Sequence, residues 1–381
     1  MTKSTEAFSP AEAFPPGEFI RDELEARDWT QEDLAEILGC SLRLVNEVIK
    51  GRRAITIETA RRLGDAFGTG AQFWLNLETS YQLWRGSHAD DSVARRSRLY
   101  AKAPVKDMIR RRWIEPSHNV DVLEQRVLSF LEITTLDDMP SVWSHAARKP
   151  TDYDSVSPAQ WAWLLRAKKL ARLVAAGRYI DRKFEEVVAH LKTLLQAPPE
   201  TRQAAKMLAE VGIRLLVVEP LPRTKIDGAT FWLDRHSPVI AISHRYDRID
   251  WFWHTLMHEM EHVRRRDGLE SAGRIDVLFG GPSSKAERPE SEVEADTFAA
   301  ESLVPQEALD SFIARVGPLF SKKQIRGFAA LQKVHPGIVV GQLQYRGAIA
   351  YAQNREMLIK VREAVTSSAL TDGWGHTAPT L

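Results

Sequence analysis

Residues 30–53, TQEDLAEILGCSLRLVNEVIKGRR, leave little choice of local structure. Thr30 reads as a helix N-cap with Asp33 three residues on as its acidic capping partner, and Leu34, Ile37 and Leu38 form an apolar stripe at helical spacing. Gly39 breaks that pattern. Ser41 then caps a second run, carrying Leu44, Val45, Val48 and Ile49, which stops at Gly51. Two helices joined by a tight glycine-containing turn form a helix-turn-helix when the second can lie in a major groove. The same periodicity predicts helices over 18–27, 56–67 and 71–84, so residues 17–85 read as five short helices.

In that arrangement Gln31 heads the first helix of the motif, where it can hydrogen-bond a phosphate. Ser41, Leu42, Arg43 and Asn46 project from the second, and Arg43 and Asn46 carry donors suited to base edges. Lys50, Arg52 and Arg53 meet phosphates, which fixes position and not sequence. The formal net charge of the whole chain is +1, so positive charge is placed in patches rather than as a basic coat. A helical bundle with a solvated basic face is the competing reading. A second basic patch lies at residues 95–113, where eight Arg/Lys face the single acid Asp107. It reads as a solvated helix face or a seat for an acidic neighbour, with single-stranded nucleic acid as the sharper alternative.

A length of 381 residues allows two or three domains. With 44% hydrophobic and 27% charged residues the composition excludes wholesale disorder, and no apolar run approaches the roughly 18 residues that a membrane span needs. The opening residues lack a signal-peptide pattern, so the expected location is cytoplasmic, with no membrane partner. Cys40 is the only cysteine; an intrachain disulfide and a cysteine cluster are excluded, and any metal must use His and carboxylates. The expected fold class is multidomain, mainly α with a small α+β part. Residues 1–86 are the helix-turn-helix domain and 87–200 a helical linker region, with GSHADDS as the connecting segment. Residues 201–345 form the α+β domain, with short strands in IRLLVVEPL, ATFWLD and VIAISH. Residues 346–381 are a C-terminal strand, helix and flexible tail; a strand pair is expected near 338–343 and 348–352.

The α+β part contains His258-Glu259-Met260-Glu261-His262 on an expected helix over about 250–265. Residues four apart share a helix face, so His258 and His262 can offer ring nitrogens to one ion. Glu259 projects beside them, placed as general base toward an attacking water. A hydrolytic site needs a third protein ligand, and SEVEADTFAAESLVP supplies it: Glu292 is the favoured ligand and Glu294 its competitor, with Asp296 accepting a hydrogen bond from a ligand histidine behind the metal. An acidic solvated helix is the bland alternative. His254 lies one turn earlier, but residues at i, i+4 and i+8 span about 12 Å along a helix, too far for one ion. His254 is therefore expected in the core or pocket. His236, His244 and Tyr246 remain open as oxyanion partners.

The stretch from PPGEF to YQLW resembles the HigA-type antitoxin branch of the XRE helix-turn-helix family, through its PGE start, LAEILG, the GRRAIT turn and FGTGAQFWLNLE. That resemblance implies binding of a double-stranded operator as a homodimer and, in some relatives, neutralisation of a RelE-like toxin. Cys40 stands where a small aliphatic residue is usual. From about residue 213 to 343, GIRLLVVEPL, KIDGATFW, VIAIS, the H-E-x-x-H helix, EVEADTFAAESLVP and HPGIVVGQLQ resemble the ImmA/IrrE metallo-endopeptidases. This second resemblance implies a zincin-like domain over 201–345 that cleaves a regulatory protein in a stress, toxin-antitoxin or mobile-element response. It assigns metal ligation to His258 and His262, the base to Glu259 and the third ligand to the Glu292 region, with zinc as the metal and manganese as the alternative. The family's helix usually has Gly where Glu261 stands, and Trp253 and Met260 also depart from it. The alternative function is a non-catalytic HigA-like antitoxin or repressor that uses the peptidase-like domain for partner binding.

Overall fold

A computed structural model describes residues 14–86, 91–138, 157–269 and 289–373. The chain divides into two compact units, residues 1–94 and 95–381. Among the described residues no helix is long and apolar enough to cross a membrane.

The first unit contains α1 (Pro16–Arg27), α2 (Gln31–Ile37), α3 (Leu42–Ile49), α4 (Ile57–Phe67) and α5 (Ala71–Gly86). The expected caps set these boundaries. Thr30 and Asp33 form a reciprocal capping box, and Ser41 and Thr56 accept from the backbone amides of Leu44 and Thr59. Ile20, Leu34, Val45, Val48, Ile49, Leu63 and Trp74 form the core between the helices. Gly17 lets α1 approach α3, because a Cβ there would lie 2.1 Å from the Ile49 carbonyl oxygen.

The second unit is built on a four-stranded sheet. Its helices, in chain order, are α6 (Ser92–Lys102), which begins at the unit boundary, α7 (Val105–Arg110), α8 (Val120–Leu131), α9 (Pro158–Ala171), α10 (Phe184–Thr193) and α11 (Ala204–Glu210). Strands β1 (Arg214–Val218), β2 (Gly228–Trp232) and β3 (Pro238–Ile242) follow, then α12 (Ile249–Arg265) and α13 (Glu290–Leu303). The unit ends with α14 (Gln306–Val316), α15 (Lys322–Gln332), α16 (Pro336–Tyr345), α17 (Arg362–Thr366) and β4 (Leu370–Asp372). The strand order is β2-β3-β1-β4, antiparallel between β2 and β3 and parallel elsewhere.

Strand alternation divides the side chains between two cores. Leu215, Val217, Trp232, Ile240 and Ile242 join α10–α12 and the C-terminal helices. Leu216, Val218, Ala229, Phe231, Val239 and Ala241 join α6–α9. Within the expected helical linker region, residues 87–200, α6–α9 thus form one of two helical layers against the sheet, while α10 joins the other. Their basic patch serves this packing: Arg95 pairs with Asp121 and Glu124, and Arg111 with Glu219. Part of the patch is thus a seat for acidic neighbours, while Arg98, Lys106, Arg110 and Arg112 stay exposed.

Two further expectations fail. Residues 338–343 are helical within α16, not a strand, because His335 caps the helix, accepting from the Gly337 amide, and Pro336 occupies its first position. Residues 348–352 form turns. The C-terminal strand is instead β4, beyond α17 and parallel to β1. Asp372 at its end accepts from Trp113 Nε1 and Arg166 Nε, both at 2.7 Å, which ties the sheet edge to the helical layer. Removing one partner of such a buried pair leaves an uncompensated charge. Arg166→Ala should therefore lower stability by about 3 kcal/mol in urea unfolding; a loss below about 1 kcal/mol would show that the pair is not an anchor.

Candidate metal centre and helix-turn-helix surface

Helix α12 places His258 and His262 one turn apart on the same face, and α13 brings Glu292 against them. The two Nε2 atoms lie 3.1 Å apart. Glu292 Oε2 is 3.4 Å from His258 Nε2, and Oε1 is 3.4 Å from His262 Nε2. All three side chains are buried, and their ligand atoms fall within 4.8 Å of one another. Around a tetrahedral ion with bonds of about 2.0–2.1 Å, neighbouring ligand atoms are separated by roughly 3.4 Å. The two histidine–carboxylate approaches, one to each Glu292 oxygen, equal that edge and the Nε2 separation is slightly shorter. Both Glu292 oxygens are buried without a hydrogen-bond partner, the 3.4 Å approaches being ion-pair contacts rather than well-directed hydrogen bonds. A cation between the three groups would satisfy them, so the residues fit a metal.

Carboxylates behind the histidines orient them. Asp296 Oδ1 lies 2.9 Å from His258 Nδ1, where the sequence places it, and Asp267 Oδ2 lies 2.8 Å from His262 Nδ1. Holding each Nδ1 as a donor leaves each Nε2 for a metal. Burial opposes charge on both rings, but the carboxylates prevail: Asp296 and Glu292 raise His258 to about 10, and Asp267 and Glu292 raise His262 to about 9. Burial likewise pushes Glu292 upward, yet the two imidazoles hold it well below the usual carboxylate range. Without a metal, protons occupy the cluster that a cation would neutralise.

Glu259 is buried beside these groups, and burial pushes its carboxyl up. Thr230 Oγ1 on β2 donates to it at 2.7 Å. Gly228 on the same strand leaves room for it, since a Cβ there would stand 2.5 Å from Glu259 Oε1. Glu294 turns to Arg265 instead of the cluster. Glu261, in the position where Gly is usual, is buried and bound through both oxygens by Arg264 at 2.6 Å, so its charge is met locally. His254 stands outside the three-residue cluster, its ring centroid 6.4 Å from that of His258. Asp267, Thr230 and Gly228 were not singled out in the sequence. The only signals were the Asp closing RRRD and the GAT within KIDGATFW.

In the first unit, Gln31 is the first residue of α2 and Ser41 the N-cap of α3. Residues 20–74 match the helix-turn-helix family. The chain is 42% identical over 82 residues to virulence-associated protein I of Dichelobacter nodosus, covering 21% of this chain and 76% of that protein. The chain belongs to the helix-turn-helix family. It is also 39% identical over 70 residues to the uncharacterized HTH-type transcriptional regulator YbaQ of Escherichia coli K12, covering 18% of this chain and 62% of that one. Among solved structures it is similar to the antitoxin HigA of Pseudomonas aeruginosa with the higBA promoter, at 39% identity, 20% and 86% coverage and a TM-score of 0.20. An addiction module antidote protein of a HigA family from Coxiella burnetii gives 36% identity, 20% and 83% coverage and a TM-score of 0.19.

The helix-turn-helix unit is that of a DNA-binding regulator. Val45, Val48 and Ile49 bury one face of its α3, which leaves Arg43 87% exposed and Asn46 half-buried. Lys50 closes the helix, and Arg52 and Arg53 follow it on the surface. Arg43 does not stand alone: its Nε donates to Glu47 at 2.8 Å, and Arg53 lies 3.6 Å from the same carboxylate. Cys40 in the helix-turn-helix turn is half-buried, and burial pushes its thiol up.

Of the three oxyanion candidates, His236 is exposed and Tyr246 packs on Trp251. His244 is buried against Phe252 with neither ring nitrogen hydrogen-bonded. Burial lowers it from 6.5 to about 4, with Asp247 opposing that shift. Above pH 6.5 both folded and unfolded chains hold His244 neutral. Between 6.5 and about 4 only the unfolded chain takes up the proton, so stability falls as pH falls through that window. His244→Phe should remove about 3 kcal/mol of this acid sensitivity in pH-dependent urea unfolding; an unchanged profile would place the sensitivity elsewhere.

Proposed function

We propose that the chain is a DNA-binding transcription regulator whose second unit is a zincin-like metallo-endopeptidase. The observation that carries the second half is the buried convergence of His258, His262 and Glu292, with both Glu292 oxygens unpartnered. The helix-turn-helix family membership carries the first. The order of motifs resembling the ImmA/IrrE peptidases supports joining them, and the substrate is a regulatory protein, another repressor or this chain itself. Its relation to HigA-type regulators further supports operator binding as a homodimer and the capacity to engage a RelE-like toxin.

His258, His262 and Glu292 would hold zinc, or manganese in its place. Such an ion polarises a scissile carbonyl and lowers the pKa of water. The chain's own residues do the rest. Glu259 takes the proton of the attacking water and returns it to the leaving amine nitrogen, a role favoured by a buried carboxyl with raised proton affinity. Thr230 fixes the rotamer of Glu259, and Gly228 keeps the space beside its Oε1 open. Asp296 and Asp267 hold the imidazoles in register.

Protein purified without added metal should contain about one zinc or manganese per chain, lost in both His262→Ala and Glu292→Ala. Glu259→Gln should keep metal and DNA binding while cleavage of the target regulator falls by about 10²–10⁴-fold. An equally active variant would remove Glu259 from the chemistry. The non-catalytic antitoxin alternative would then gain if the variant also left the regulatory phenotype unchanged. On the DNA side, Arg43→Ala should weaken operator binding by about 1–3 kcal/mol and relax preference at one base. Unchanged affinity in electrophoretic mobility shifts would mean that α3 is not the reading helix.

A further inference from the structure

The loop between β1 and β2 builds a second feature that neither the metal centre nor the helix-turn-helix uses. Residues of this loop, of α7 and of the segment after β3 enclose an open cleft of about 380 Å³. Its lining holds five cations, of which Arg110 pairs with Asp107, Arg111 with Glu219 and Arg245 with Asp227, leaving Arg223 and Lys225, with an apolar wall at Pro220–Pro222.

The loop is pinned from outside the cleft's charged tip. Arg111 binds the Glu219 side chain and donates to the carbonyls of Glu219 and Pro220 at 3.3 and 3.1 Å. Gln160 donates to the Thr224 carbonyl at 3.0 Å, and the Thr224 hydroxyl to the Leu221 carbonyl at 2.8 Å. Arg223 and Lys225, on either side of buried Thr224, both adopt left-handed backbone, φ 67° and 53°. Non-glycine residues rarely take that conformation, and such outliers concentrate where a ligand is gripped. Among the described residues neither cation has a hydrogen-bond or ion-pair partner. Arg245 binds Asp227 at 2.9 Å through Nη2, while its Nε is buried and unpartnered.

Two like charges on one constrained backbone turn, a third cation with an orphan donor and an apolar wall form an anion receptor. A volume of about 380 Å³ exceeds what an inorganic ion fills and lies in the range of small-molecule sites. We infer that the cleft binds an organic di- or polyphosphate of about nucleotide size, its phosphates held by Arg223, Lys225 and Arg245. Guanidinium forks suit phosphate oxygens, and the two cations without an ion-pair partner among the described residues, Arg223 and Lys225, suit the charge of a diphosphate. The site is independent of whether the metal centre is catalytic.

Calorimetric titration of the full chain with ADP, pyrophosphate and citrate at 150 mM NaCl tests this. ADP should bind once per chain with micromolar affinity and more tightly than citrate, and the Arg223→Gln/Lys225→Gln double variant should weaken ADP at least tenfold. Both side chains are exposed, so the double variant should keep the unmodified thermal midpoint. Failure of both ADP and pyrophosphate to bind would overturn the inference, as would equal ADP affinity in the double variant. Citrate binding as tightly as ADP would show a nonspecific basic patch and equally overturn it.

Discussion

Glu292 is a carboxylate buried in a place that makes sense only with positive charge between it and two histidines. An isolated ionised carboxylate in a protein interior is too costly to persist, so its surroundings must compensate it. Here both oxygens face imidazole Nε2 atoms at 3.4 Å, and the reverse sides of those rings are already engaged by Asp296 and Asp267. Three carboxylates around two imidazoles carry more negative charge than neutral rings can meet; protonation of both rings or a divalent cation offsets two of the carboxylates, and Arg265, 3.4 Å from Asp267, stands against the third. The second unit is organised to hold this arrangement: α12 supplies the histidines, α13 Glu292 and Asp296, the turn after α12 Asp267, and Trp253, Leu256, Met257, Met260 and Ala299 belong to the same buried core.

The sheet has a comparable role. Edge strand β2 faces α12 with the smallest residue where Glu259 needs room and a hydroxyl where that carboxylate needs a donor. The neighbouring positions on β2 go to packing, with Ala229 and Phe231 on the opposite face against α6–α9. One five-residue strand therefore carries both the support of Glu259 and the seal between two cores. The helical layer α6–α9 is thus part of what holds the strand in place. That explains why Arg95 and Arg111 are spent on Asp121, Glu124 and Glu219.

Much of this was legible in the sequence because it rests on local spacing. Thr30 with Asp33, and Ser41, announced their helices through capping chemistry that needs only neighbouring residues. His258 and His262 announced a shared face through a four-residue interval, and Glu292 with Asp296 did the same on the partner helix. The choice between Glu292 and Glu294 needed tertiary placement, which gives Glu294 to Arg265. Asp267 lies five residues beyond His262, past the end of α12, where no helical periodicity reaches. Strand β4 is three residues long and gains its identity from pairing with β1, far away in sequence. Ile338, Val339 and Val340 favour strand by β-branching, yet the His335 cap and Pro336 start a helix that buries all three. The layer role of residues 95–200 was likewise invisible, since helical periodicity shows that a face is buried without showing against what.

X-ray absorption at the zinc edge of the reconstituted full chain tests the central claim most directly. The account predicts a light-atom shell at about 2.0–2.1 Å with the multiple-scattering signature of two imidazoles, and no bound zinc in His262→Ala. A shell lacking imidazole scattering, a sulfur contribution at about 2.3 Å from Cys40, or no zinc uptake at all would contradict it.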